Sequence, residues 1–510
     1  MKSTEPNFLI ISADQQRADC LGIAGRNIKT PHLDQLARQG TRFDTAITPC
    51  VVCQPARASI LTGQLCRTHG VHDNGIDLNP TVGEKGFAGT LAKAGYDTSY
   101  FGKAHFSTYH TYEKTGTPEC LKSSADYPDN WYGPYMGFSH VEIMLVGHNW
   151  FLPEKPPRGQ HYERWFYADG KGDQRNELYR QNAHDTHDAA QTWHSLLPVE
   201  WHNSTWTADR AIDWLSTHNQ GKPFCTWISF PDPHHPFDCP VPWSEMHAPE
   251  DVDLPPYRSR DFQKRPWWHE AVLTNEPAGK KEHASIRKQY SRISEQTDTQ
   301  LREIIANTYG QIALIDHQVG RILRTLESTG LADNTIVIYL SDHGDWLGDH
   351  GLILKGPMHY EGLLRVPLIM RGPGIESGRI IQEPVSTIDI GPTLFDYAQC
   401  NAQLTQHGSS LKPLLEDPDA TRSFARAEWE LLPTRTGVPL SLQVIRTRTH
   451  KLTIDTISEA GELYDLKQDP YEQNNVFDQP DAREIKQQLM SFIQQRPNDR
   501  LPIQTQVGLA

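Results

Sequence analysis

From residue 8 to residue 341, short apolar runs of strand length keep alternating with stretches of helical periodicity, and few folds accommodate that alternation. Residues 8–12, 97–101, 224–230 and 335–341 read as strands, because β-branched and aromatic side chains dominate them. Residues 30–40 place apolar side chains at helical spacing and end in Gly40, which predicts a C-cap. Residues 90–95 read as a helix end, and 301–328 as one long amphipathic helix. The pattern predicts an α/β fold, a central sheet covered by helices on both faces. Active residues in such folds gather at the carboxyl ends of the strands. Asp14, Lys103, His234 and Asp342 each follow a predicted strand, so four distant segments can converge there.

Two regions break the pattern. Residues 107–206 are polar, loop-like and aromatic, with Trp131, Trp150, Trp165, Trp193, Trp201 and Trp206. From 396 onward short strands (443–446, 451–454) precede a final helix near 482–495. The expected organisation is a catalytic α/β domain over 1–395, carrying the aromatic insertion, and a smaller α+β subdomain over 396–510. At 510 residues the chain is long enough for both. A formal net charge of -14 argues against a broad nucleic-acid surface. No run approaches the ~20 apolar residues of a membrane helix. Nothing before Phe8 reads as an export signal, so the expectation is a cytoplasmic protein, or a periplasmic or secreted one if a leader has been removed. The eight cysteines are scattered, and the C-x-x-C of Cys50 and Cys53 has no second pair at zinc-finger spacing.

The strongest chemical signal is C-x-P-x-R at Cys53, Pro55 and Arg57, followed by L-T-G at Leu61, Thr62 and Gly63. Asp14 and Gln15 follow the first strand, and Asp342, His343 and Gly344 a later one. Two carboxylates, an amide oxygen and an imidazole suit a hard or borderline divalent cation. Each pair alone reads equally well as a helix N-cap, and Cys53 alone as a buried apolar side chain. Taken together and in order, with G-K-x-H at Lys103 and His105, P-H-x-P at His234 and Lys355 further on, they resemble the formylglycine-dependent sulfatases of the alkaline phosphatase superfamily.

The resemblance extends over nearly the whole chain and implies an alkaline-phosphatase-like mixed sheet sandwiched by helices. It implies that a formylglycine-generating enzyme oxidises Cys53, whose hydrated aldehyde attacks the sulfur of a sulfate ester. Asp14, Gln15, Asp342, His343 and residue 53 would hold one divalent ion, with calcium expected and manganese or magnesium compatible. Arg57, Lys103 and Lys355 would surround the sulfuryl oxygens with fixed positive charge. His234 or Lys355 would protonate the leaving alcohol, and His105 would take a proton from the remaining hydroxyl. Asn74 and His235 are candidate substrate contacts, although Asn74 also suits a plain Asn-Gly turn. The expected substrate is a small-molecule or oligosaccharide sulfate ester, with the Trp-rich insertion either presenting faces to sugar rings or simply anchoring itself. Homo-oligomerisation is left open. Many sulfatases carry Asp where this chain has Gln15, a feature shared with phosphonate monoester and phosphodiester hydrolases of the same scaffold. The G-K-x-H pair argues against that rival. A third alternative is an inactive homologue that binds sulfated glycans.

Overall fold

The structure is a computed structural model that describes residues 5–145, 147, 159–218, 221–278, 281, 285 and 292–509. The strands, in chain order, are β1 (Asn7–Ala13), β2 (Thr41–Phe43), β3 (Ala46–Ile47), β4 (Asp97–Lys103), β5 (His140–Met144), β6 (Phe224–Ser229) and β7 (Thr335–Ser341). They continue as β8 (Leu368–Arg371), β9 (Arg379–Ile381), β10 (Val385–Ser386), β11 (Ala425–Leu431), β12 (Leu440–Arg446), β13 (His450–Asp455) and β14 (Gly461–Asp465). Eight of them form one mixed sheet in the order β5-β4-β6-β1-β7-β8-β2-β9. The five from β5 to β7 run parallel, β8 is antiparallel to β7, and β2 and β9 close the far edge.

β1 lies at the centre and is buried along its whole length, which explains its unbroken apolar run. Successive residues serve opposite faces. Phe8 and Ile10 pack with Tyr100, Trp227 and Ile338 against the helices Cys53–Thr62, Phe87–Lys93 and Ile390–Tyr397. Leu9 and Ile11 pack with Phe101, Ile228 and Val337 against Pro31–Arg38, Asn203–Thr217 and the 31-residue helix Asp298–Ser328. The helix after residue 30 ends at Arg38 with Gln39 as its C-cap, so the expected cap at Gly40 is corrected. Gly40 instead permits close packing, since a Cβ there would lie 2.2 Å from the Met370 carbonyl oxygen.

The region 107–206 is more ordered than its composition suggests. It contributes edge strand β5 and the helices His161–Tyr167 and Gly172–Arg180. Trp193 and Trp206 are buried with Met144, Tyr162, Phe166 and Tyr179, and Trp165 and Trp201 pack on that cluster. These indoles anchor the segment; Trp150 lies outside the described residues. The helix Lys412–Glu416 still packs in the first core through Leu414 and Leu415. Antiparallel strands β11 to β14 follow, backed by the helix Arg483–Gln494. The opposite face of that sheet, with Ala427, Trp429 and Leu442, packs on Val51, Val52, Trp346 and Tyr360. The chain end returns to the main body, where Val507 N donates to Gly75 O and Leu509 N to His110 O.

Candidate active site

Four strand ends on the carboxyl edge of the sheet deliver the site. Asp14 and Gln15 follow β1, Lys103 closes β4, His234 and His235 follow β6, and Asp342 and His343 follow β7. Backbone bonds tie the ends together, Asp14 N to Asp232 O at 2.9 Å and Asp342 N to Ala13 O at 3.3 Å. Gly102 allows β4 to press against β6: its φ is +103°, and a Cβ would fall 2.1 Å from the Ser229 carbonyl oxygen.

Cys53 opens the helix Cys53–Thr62, every residue of which is buried. Its Sγ lies 3.1 Å from His343 Nε2, 3.0 Å from Lys355 Nζ and 3.6 Å from Asp14 Oδ1. One ligating atom from each of Asp14, Cys53, Asp342 and His343 lies within 4.8 Å of all the others, a spacing a shared ion can bridge. His343 Nδ1 sits 2.8 Å from Gly344 O. A carbonyl only accepts, so Nδ1 carries a proton and Nε2 is the ring atom turned to the cluster, the one that could ligate a cation. The donor set therefore fits a divalent cation on chemistry as well as spacing.

Electrostatics divides the two carboxylates. Burial alone would raise Asp14, but Lys103, Arg57, Lys355 and His343 together outweigh it and hold the carboxyl well below its usual range. Burial, and then the neighbouring Asp14 charge, push Asp342 up. Burial and Asp14 would likewise raise the Cys53 thiol; Lys355, His343 and Lys103 overcome both and depress it.

The structure brings Lys103 and Lys355 into the cluster, Lys103 Nζ 2.6 Å from Asp14 Oδ2 and Lys355 Nζ 3.0 Å from Gln15 Oε1. Arg57 differs from expectation. Its Nε binds Asp342 Oδ2 at 2.9 Å, Nη2 binds Asp14 Oδ2 at 3.2 Å, and Nη1 binds Lys103 O and Ser229 Oγ at 2.7 Å each. With its donors so engaged and no exposed surface, Arg57 holds the carboxylates in place rather than facing a substrate.

His105 is buried and lies beside the Cys53 side chain. Burial, the largest effect, lowers its pKa, and Lys103 adds to the lowering. His235 Nδ1 lies 3.3 Å from Gln15 Nε2, and His234 stacks on His235 with ring centroids 4.0 Å apart. His234 thus joins the His235 ring, which lies beside Gln15. Asn74 Oδ1 accepts from Gln54 N at 3.1 Å, a bond that fixes the start of the Cys53 helix.

Two acids escaped sequence reasoning. Asp345 accepts from Gln15 Nε2 at 2.6 Å, and its other oxygen accepts from Leu347 N and Leu354 N. Its place three residues after Asp342 was the only signal. Glu119 accepts from the backbone N–H of His105, Phe106 and Ser107 and from the Tyr135 hydroxyl. Nothing local in the sequence marks it.

A mixed sheet flanked by helices, with a buried carboxylate, thiol and imidazole cluster at its carboxyl edge, defines a hydrolase of the alkaline phosphatase superfamily. The sulfatase family model matches residues 6–400, and the model for the C-terminal part of N-sulphoglucosamine sulphohydrolase matches 348–499. An arylsulfatase of Clostridium perfringens is 30% identical over 504 residues, covering 94% of this chain and 92% of that protein. An N-acetylglucosamine-6-O-sulfatase of Bacteroides thetaiotaomicron is 26% identical, covering 97% and 86%. The crystal structure of a phosphonate monoester hydrolase of Agrobacterium radiobacter superposes with a TM-score of 0.75 at 26% identity, covering 96% of this chain and 95% of that one. The chain belongs to the sulfatase family, and it is a sulfuric ester hydrolase.

Proposed function

We propose that this sulfatase removes the sulfate ester of a sulfated saccharide, using formylglycine made from Cys53 by a formylglycine-generating enzyme together with one divalent metal ion. The observation that carries the proposal is the meeting of Cys53 Sγ with the Asp14, Asp342 and His343 ligating atoms within 4.8 Å. Asp14, Gln15, Asp342 and His343 would hold the ion, and the oxygen-rich set favours calcium, with manganese or magnesium compatible. When bound, the ion supplies a lowered hydroxyl pKa and offsets charge on the transferring group. Formylglycine, once a water has added to its aldehyde, would supply two hydroxyls on one carbon, one to attack and one whose deprotonation releases sulfate.

The chain's own groups do the rest. Lys103 and Lys355 set fixed positive charge beside residue 53, the form of stabilisation that usually dominates such transfers. Arg57 keeps the two carboxylates aimed inward. His105, neutral near pH 7 because burial disfavours its charged form, takes up a proton at a ring nitrogen. Lys355 or His234 gives a proton to the leaving alcohol. The saccharide class rests on the relative that acts as an N-acetylglucosamine-6-O-sulfatase.

The test is a panel of sulfated mono- and oligosaccharides run beside matched nitrophenyl sulfate and phosphonate esters. A higher kcat/KM on a saccharide is expected; turnover of the aryl sulfate alone would defeat the saccharide class. Gln15 and the superposed phosphonate monoester hydrolase give a second reading, which a faster phosphonate reaction would favour.

A further inference from the structure

Gln15 is held by contacts on both ends of its amide. Its Nε2 lies 2.6 Å from Asp345 Oδ2 and 3.3 Å from His235 Nδ1, and its Oε1 lies 3.0 Å from Lys355 Nζ. A carboxylate only accepts and an ammonium only donates, so both partners dictate the same amide orientation. The oxygen must face the cluster and the NH₂ must face Asp345. The backbone of Gln15 is constrained as well, with φ at +73° and its N–H on Asp342 Oδ1 at 3.0 Å. Asp345 is itself fixed: it is buried, and its Oδ1 accepts from Leu347 N at 2.7 Å and Leu354 N at 2.8 Å. Leu354 adjoins Lys355, so one carboxylate ties the amide of Gln15 to the loop that carries the second lysine.

We infer that Asp345 is a positioning residue that makes residue 15 a neutral amide ligand, presenting Gln15 Oε1 to the metal and excluding a carboxylate at that position. A Glu at 15, the carboxylate that matches Gln in length, would set an acceptor oxygen against Asp345 Oδ2 with no hydrogen between them. The site therefore holds its ion with two carboxylates rather than three, leaving more of the ion's positive charge for an anionic substrate. This inference rests on the metal site proposed above.

The experiment is calorimetric titration of the metal-stripped full chain with CaCl2. Asp345→Asn keeps its shape, but the Leu347 and Leu354 N–H groups claim its one carbonyl oxygen. Its NH₂ then faces residue 15 and inverts the Gln15 amide. Calcium affinity should fall roughly 10–100-fold, as for other groups that orient a ligand. Gln15→Glu alone, which sets two acceptors face to face, should also bind more weakly. In the Gln15→Glu/Asp345→Asn double variant the new NH₂ meets a carboxylate, and affinity should return to within a few-fold of wild type. A merely structural role for Asp345 would not produce that rescue. Wild-type affinity in Asp345→Asn, or a double variant no better than Asp345→Asn, overturns the inference. Should Asp345→Asn fail to fold, Gln15→Glu decides: weaker binding supports the inference, and equal or tighter binding overturns it. A wild-type chain that binds none of Ca2+, Mn2+ or Mg2+ overturns the metal site itself, and the inference with it.

Discussion

Arg57 is the side chain on which the inner site depends, because it donates to both carboxylates from a fully buried position. Removing one member of a fully buried ion network strands the others without water or counter-charge. Arg57→Ala should therefore cost about 3–5 kcal/mol in urea unfolding; an unchanged midpoint would mean the carboxylates need no such support. Cys53→Ser keeps a hydroxyl but lacks the second one that releases sulfate, so it should turn over at most once. Repeated turnover by that variant at the wild-type rate would rule out the formylglycine mechanism. For His105 the sign follows from burial, which lowers its pKa. The base form then persists to lower pH, and the acid limb of kcat should fall below the ordinary imidazole value of about 6.5. A limb at or above that value, or one unmoved in His105→Ala, would assign the proton transfer elsewhere.

At the scale of elements, the parallel strands were legible because burial on both faces writes an unbroken apolar run. β7 spans the residues expected for it, and β1 and β4 extend theirs by one or two. β5 was not legible. It has five residues, and half-exposed His140 and Glu142 alternate with Val141 and Ile143 inside a polar, aromatic stretch. The same stretch hides Glu119, whose partners are backbone N–H groups that carry no residue identity to read. Glu119 nevertheless shapes the turn after β4, where His105 adopts a left-handed φ of +54°. Glu119→Ala leaves those buried donors unsatisfied, each such group costing about 1–3 kcal/mol. A lowered unfolding midpoint together with a lower kcat is expected, whereas full activity would detach Glu119 from the placement of His105. Cys53, Arg57, Lys103 and His343 were readable because they lie in contiguous motifs. Asp345 was not, since its meaning depends on an amide 330 positions away.

Across the whole molecule, the antiparallel sheet β11 to β14 is clamped to the loops around the site. Lys451, with no exposed surface, pairs with Glu472 and donates to the His359 carbonyl, while Arg446 Nη2 meets Glu361 Oε2 at 3.0 Å. Lys451→Ala strands Glu472 and should lower stability by about 3–5 kcal/mol, read as an earlier thermal or urea transition. No helix among the described residues is long and apolar enough to cross a membrane. The two cores on either face of the large sheet fix the strand ends that deliver residues 14, 103 and 342, and Cys53 at a helix start and Lys355 on a loop complete one pocket of charge.

The most direct measurement is the steady-state rate of sulfate release against the fraction of chains that carry an aldehyde at position 53, determined by peptide mass on the same samples. The rate should rise in proportion to that fraction and pass through zero for chains that retain the thiol. Undiminished turnover in fully unmodified protein would contradict a mechanism centred on residue 53.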